Sequence, residues 1–284
     1  MSNGIRARQN EDKCIAMLAA QRQLYNNARV LNFVLISTSI ILPFIFSFIS
    51  AFTQNRYVDS GSYILVIVAL IISFIMYKYI NNQKELAAFI QQQFDIYVYT
   101  MPWNSKIFGK NKCLNQDIAK YSKSILNNNI KKQKLYDWYV IENDSKPLLE
   151  GIISCQRENY AWDIGLRKRF KMASIVVIVV LSIIILTIGI IYNEGLLVVI
   201  SRFAFIAPML EWLLNTIKRI NQDIKCLNTL DELINNDSKK TMEDLQDIQK
   251  VIFEHRKGCY TIPNSIYYFL KDNDEDRAHR TANL

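Results

Sequence analysis

Residues 173–192 read ASIVVIVVLSIIILTIGIIY, a run without a single charge. An α-helix needs ~20 apolar residues to cross a hydrocarbon core ~30 Å thick, and this run supplies them. Three further apolar blocks of comparable length lie at 31–52, 62–80 and 196–214, and the block around the uncharged run spans 172–192. In lipid every backbone polar group must be satisfied internally, so such blocks become helices unless they close into a barrel. Alternating strand patterns are scarce. The expectation is an all-α integral membrane protein with four transmembrane helices. The competing reading, core helices of a soluble protein, requires all four blocks to be buried. Composition fits the first reading: 50% of residues are hydrophobic, yet mean hydropathy is near neutral, so oily blocks alternate with strongly polar ones.

The net charge is +8, and its placement says more than its size. Residues 1–30 carry five Lys/Arg, 81–171 fifteen and 215–284 eleven, whereas 53–61 has only Arg56 and 193–195 none. Basic residues stay on the cytoplasmic side, so the two short loops face out and both ends and the long middle segment face in. The first apolar stretch follows a polar segment and lacks a small-residue cleavage site, so no secretory signal is expected. Heavy use of Asn, Lys and Ile points to an AT-rich genome, and the expected location is a bacterial inner membrane.

Catalytic material is sparse. The five cysteines (14, 113, 155, 226, 259) are scattered without a C-x-x-C pair, which argues against a disulfide framework and against zinc. The histidines are His255 and His279. No phosphate-binding glycine loop, H-E-x-x-H or G-x-S-x-G motif is present. Cys155 beside Arg157 reads as a small buried thiol. No metal, no cofactor and no enzymatic activity are expected.

Between the blocks the pattern stays helical. Residues 1–30 form an amphipathic helix, with Ile15, Leu18, Ala19, Arg22 and Tyr25 at helical spacing, lying on the membrane or packing into the bundle. After the second block nothing breaks the helix before Pro102, so 81–171 becomes a helical stalk and small cap containing MPWN and LYDWY. In 215–270, Ile217, Ile220, Ile224, Leu227 and Ile234 make a seam that suits an oligomer or packing within the chain. A further helix spans about 241–256, opening behind Ser238/Thr241 and closing near Gly258. The tail 271–284 reads as disordered.

Polar residues stand where apolar ones would be cheaper. On the helix at 155–170, Cys155, Asn159, Trp162, Asp163, Leu166 and Phe170 share the face to be buried. Asp163 lies one turn from both Asn159 and Arg167, the spacing of a hydrogen-bond and ion-pair clasp. In the first block Asn32, Ser39, Pro43, Ser47 and Ser50 share a sector that packs on another helix or faces water. Arg202 and Glu211 in the fourth block lie on opposite faces, where they snorkel to the two interfaces or line an aqueous path. Pro208 between them permits a kink. The pore-lining candidates are therefore Ser39, Ser47, Ser50, Arg202 and Glu211.

Six segments carry a family likeness: RQNEDKCIAMLAAQRQLY, MPWN, DWY, CQRENYAWDIGLRKRF, LQDIQKVIFEHRK and IPNSIYYF, in this order around four spans. From about residue 8 to 270 the chain resembles the four-transmembrane SMODS-associated effectors of bacterial cyclic-oligonucleotide-based antiphage signalling (CBASS). One departure is that Asn264–Ser265 precede the aromatic ending. The resemblance implies a homo-oligomeric effector that opens the inner membrane on sensing a cyclic oligonucleotide made by a partner nucleotidyltransferase, killing the cell. It implies no DNA or RNA polymer as partner. A ligand of that kind calls for cations, aromatic planes and amides, which Trp103, Asn104, Trp138, Tyr139, Gln156 and Arg157 supply on the cytoplasmic side. The signature helix, with Cys155, Asn159, Trp162, Asp163 and Arg167, then couples the cap to the third span, and RKRFK at 167–171 anchors it at the headgroups. The alternative is a non-conducting membrane sensor or scaffold that signals to another protein.

Overall fold

The computed structural model describes residues 2–42, 45, 56–110, 114–193, 195–236 and 239–263. Among the described residues the fold is entirely helical. Helix α1 spans Ile5–Gln9 and α2 Asp12–Ile36, the latter running on into a π-helical turn at Ser37–Ile41. Helix α3 is Arg56–Tyr99. Three short helices form the cap: α4 Ser105–Phe108, α5 Asn115–Leu126 and α6 Asn129–Gln133. A 3-10 turn at Ile141–Ser145 leads into α7, Leu148–Ile191, followed by α8, Leu196–Asn235, and α9, Met242–Gly258.

Local chemistry sets the boundaries. Helix α3 contains no Pro, and it ends where Thr100 takes φ 56 just ahead of Pro102. Asn104 opens α4 by accepting hydrogen bonds from the Lys106 and Ile107 N–H groups. Thr241 and Asp244 form a reciprocal capping box at the start of α9, satisfying two otherwise orphaned N–H groups. Gly151 is required by a close approach: a Cβ there would stand 2.4 Å from Asn3 Nδ2 and 2.9 Å from the Asn143 carbonyl. That space lets the amino terminus and the 3-10 turn dock on α7, where Asn3 Nδ2 donates to the Asn143 and Lys146 carbonyls.

Helix α2 packs on α3 and α5, and α7 packs on α8. Helix α9 fills the space between these pairs and touches α3, α7 and α8. The long helices have two contrasting halves. Away from the apolar blocks they are buried around Leu18, Leu24, Ile90, Phe94, Ile152 and Leu227. Within the blocks, large apolar side chains face outward, with Phe74 of α3 79% exposed, Ile190 of α7 79% and Leu197 of α8 81%. Such continuous apolar exposure is foreign to a water-facing surface. Among the described residues one helix, α7, is long and apolar enough to cross a membrane.

The residue 1–30 helix packs in the bundle: Cys14, Ile15, Leu18, Ala19 and Leu24 are fully buried. The isoleucine–leucine seam of α8 is spent within the chain, since Ile220, Leu227 and Ile234 are buried against its own helices. Ser47 and Ser50 lie outside the described residues. The side chains of Ser39, Trp162 and Arg202 are likewise outside the description.

Candidate functional site

A cavity of about 570 Å³ opens between the helices on the polar side of the apolar blocks. That volume lies within the range of small-molecule sites. All four long helices wall it: α2 through Arg22, Tyr25 and Arg29, α3 through Lys84 and Gln91, α7 through Glu158, Asn159, Asp163 and Arg167, and α8 through Leu227 and Leu230. Helix α9 adds His255 and Arg256, and the loop before the 3-10 turn adds Trp138 and Tyr139. Glu158 and Arg167 are nine residues apart on α7, so the cavity extends about 14 Å along that helix.

Behind one wall sits Asp95, fully buried on α3. Its Oδ1 accepts from the Tyr139 hydroxyl at 2.6 Å, and its Oδ2 accepts from Gln249 Nε2 at 2.8 Å and Arg256 Nη1 at 2.6 Å. Asn159 Nδ2 in turn donates to the Tyr139 hydroxyl at 3.1 Å. Gln9 clamps the Tyr139 backbone, accepting from its N–H at 2.8 Å and donating to its carbonyl at 3.2 Å. One carboxylate thereby joins α3, α9 and the cap loop, and through the Tyr139 hydroxyl it reaches α7.

A second carboxylate, Asp163, binds Arg167 Nε at 2.9 Å and His255 Nε2 at 2.6 Å. Burial alone would raise the Asp163 pKa, but the Arg167 charge and the His255 hydrogen bond hold the carboxyl well below the usual carboxylate range. Burial would lower that of His255, and the Asp163 hydrogen bond reverses this, raising it to about 10. Arg167 also pairs with Asp223 of α8.

Just past α9, residues 259–262 form a strap tied to all four long helices. Lys84 of α3 donates to the Cys259 carbonyl, and Asn32 of α2 donates to the Thr261 carbonyl at 2.8 Å. Arg167 of α7 reaches the Tyr260 carbonyl at 3.3 Å, and the Tyr260 N–H donates to Asp223 of α8 at 2.9 Å. The Tyr260 ring stacks on Phe170 at 5.8 Å, and Ile262 packs with Leu166, Phe170 and Ile220. This strap closes the end of the cavity nearest the apolar blocks.

Glu158 differs from the other two carboxylates. Its Oε2 accepts from the Val140 N–H at 3.2 Å, and burial raises its pKa to about 7.

The sequence-derived ligand residues divide. Trp138 and Tyr139 line the cavity, together with Asn159, Asp163 and Arg167. Trp103 instead donates its indole N–H to the Gly109 carbonyl and packs on Phe108. Asn104 caps α4, Gln156 is fully buried and donates to the Leu245 carbonyl and Gln249, and Arg157 donates to Asn235. Cys155 is buried, with its thiol against Asn143 Nδ2. Glu211 is exposed. Sequence reasoning passed over Asp95, Arg256 and Glu158, and treated Arg22 and Tyr25 only as members of a helix face. The signal available was an arginine and a tyrosine one turn apart on an otherwise apolar face of α2.

The sequence matches the SMODS-associating 4TM effector domain over residues 3–283. The chain belongs to the SMODS-associating 4TM effector family. A probable CBASS effector molecule of Bacillus cereus strain VD146 is 26% identical over 284 residues, covering 95% of this chain and 94% of that protein. No solved structure matches the chain. In this member of the family, the helices whose sequences carry the apolar blocks are the ones that wall the cavity and hold the strap.

Proposed function

We propose that this chain is a membrane effector of bacterial cyclic-oligonucleotide antiphage defence. It spans the inner membrane four times with both ends and the cap inside the cell, binds a cyclic oligonucleotide in the cavity and opens or disrupts the bilayer, killing the infected cell. One observation carries the reading: every long helix that leads into an apolar block contributes wall to the same cavity. A ligand that draws those walls together acts on all four spans at once, and a shift in equilibrium requires such differential contact. Family membership and the relative's description as a probable CBASS effector support the defence role. The outward apolar faces of α3, α7 and α8 support the membrane placement.

The α2 helix passes into a π-helical turn at Ser37–Ile41, within the first apolar block. Single π-turns inside α-helices are frequent at functional sites. Four helices from one copy enclose no wide channel, so several copies assemble around the opening. No step of this activity requires catalysis.

Dye-loaded liposomes containing the purified protein, challenged with a panel of cyclic di- and trinucleotides, test the reading. Release with at least one member is the expected result. Binding without release would replace it with the non-conducting sensor, and neither binding nor release would overturn it.

A further inference from the structure

Most polar groups around the cavity have partners, which makes those without one informative. A buried donor left unsatisfied costs on the order of 1–3 kcal/mol, so its persistence calls for an explanation. Three buried atoms without a hydrogen-bond partner among the described residues belong to residues that face the cavity: the Tyr25 hydroxyl of α2, Nη2 of Arg256 on α9, and the Tyr260 hydroxyl of the strap, which lies apart from the other two beside Asn32 and Thr216. The Arg256 side chain is only 10% exposed, and its Nη1 is taken by Asp95, leaving Nη2 as a fixed donor. Arg256 is the foremost charge acting on Tyr25, so the two groups are neighbours. One turn before Tyr25, Arg22 also faces the cavity and has neither ion pair nor hydrogen bond among the described residues. Side chains three and four apart on a helix lie about 5–6 Å from each other, which brings Arg22 and Tyr25 to one place on the wall.

The carboxylates on this surface do not cancel that charge. Asp163 is spent on Arg167 and His255, and Asp137 on Arg6 and Asn10, while Glu158 accepts from the Val140 N–H and burial raises its pKa to about 7, favouring its neutral form. Burial also keeps the Tyr25 hydroxyl protonated, hence a donor.

We infer that Arg22, Tyr25 and Arg256 form a binding site for a phosphodiester anion, with two guanidinium groups and a phenol converging on its oxygens from α2 and α9. Guanidinium forks match phosphate geometry, and fixed donors spare the ligand the cost of organising them. The inference rests on the cavity reading above and names its chemistry. A phosphodiester also occurs in lipid headgroups. Arg22, however, lies nine residues before the first apolar block, about 14 Å along α2, and Trp138, an aromatic able to stack on a base, lines the same cavity. Both features favour a soluble ligand carrying bases.

The test uses the full chain in nanodiscs of zwitterionic lipid, titrated calorimetrically with inorganic phosphate and with cyclic di- and trinucleotides. A parallel series uses nanodiscs containing anionic phospholipid. Arg22→Gln and Tyr25→Phe are the variants, because Arg256 also holds Asp95 and its loss disturbs the fold; thermal melting confirms that both fold. A cyclic oligonucleotide should bind the parent, and Arg22→Gln should weaken it by roughly 10- to 100-fold, the worth of a charge-assisted hydrogen bond. Tyr25→Phe should cost about 3- to 10-fold. Equal binding by parent and variants would overturn the phosphate site while leaving the effector reading intact. If no cyclic oligonucleotide binds but phosphate or anionic lipid does, in an Arg22-dependent manner, the site stands and the effector's ligand is wrong. Binding in no arm defeats both.

Discussion

Asp95 lies behind the wall of the cavity that Asp163 and Glu158 line, and the three carboxylates live in different company. Asp95 and Asp163 each meet at least one cation, and Asp95 also holds a phenol and an amide. Glu158, on the same helix as Asp163, has a single backbone N–H. Burying a charge is costly unless it is paired and hydrogen-bonded. The first two sites therefore fasten helices together, whereas Glu158, like Tyr25 and Arg22, faces a space that the fold itself does not fill. The difference separates groups that maintain the bundle from groups without a full set of partners among the described residues.

The sharpest way to break this distinction is at Asp95. Asp95→Ala would leave Arg256 buried without its counter-charge and free the Tyr139 hydroxyl and Gln249 together. A loss of about 3–5 kcal/mol is expected, the cost of removing one partner of a buried pair. Thermal or denaturant unfolding in detergent measures it. Melting within a degree of the parent would show that the hub does not fasten the bundle.

Asp163→Asn should have the next largest effect, about 2–3 kcal/mol, because Arg167 keeps Asp223. Its pH signature is more specific than its size. Folded His255 holds its proton to about pH 10, against 6.5 for the ordinary group. The folded state binds that proton more tightly, so this contribution is complete below about pH 6.5 and disappears as pH rises to 10. The parent should lose stability across that window, and Asp163→Asn should be nearly flat there. A variant that keeps the parent's slope would assign it to some other group. The same variant loosens the attachment of α7 to α9 beside the strap, so liposome leakage without ligand should rise.

Much of the architecture was legible because membranes and helices impose simple rules. The uncharged run fixed α7 as a helix, the lack of a breaker before Pro102 carried α3 to Tyr99, and Thr241 announced α9. Asp163 and Arg167 were readable as a pair because they are four apart on one helix. Contacts far apart in sequence were not readable. Nothing in a helical wheel brings Asp95 to Arg256, 161 residues away, or ties Asn32 to Thr261, 229 residues away. Trp103 and Asn104 looked like ligand residues because their side chains suit a base, yet the first stabilises a loop and the second caps a short helix. Residue type reveals what a group is able to bind; its remaining valence is set by the fold.

Glu158 gives the smallest effect and the most direct test of that last point. Its pKa rises from 4.5 to about 7 because burial disfavours the charged form and no cation offsets it. The folded state therefore favours its protonated form, so stability from this group is complete below about pH 4.5 and disappears as pH rises to 7. Glu158→Gln keeps the shape and removes the charge. Without ligand it should melt like the parent near pH 4 and about 2–5 °C higher at pH 8, a modest gain for a chain of this size. A variant less stable than the parent at pH 8 would mean that Glu158 is paired in solution with a cation of the cavity wall such as Arg22. The contrast between satisfied and waiting carboxylates would then vanish, and with it the argument that Arg22 is held in reserve for phosphate.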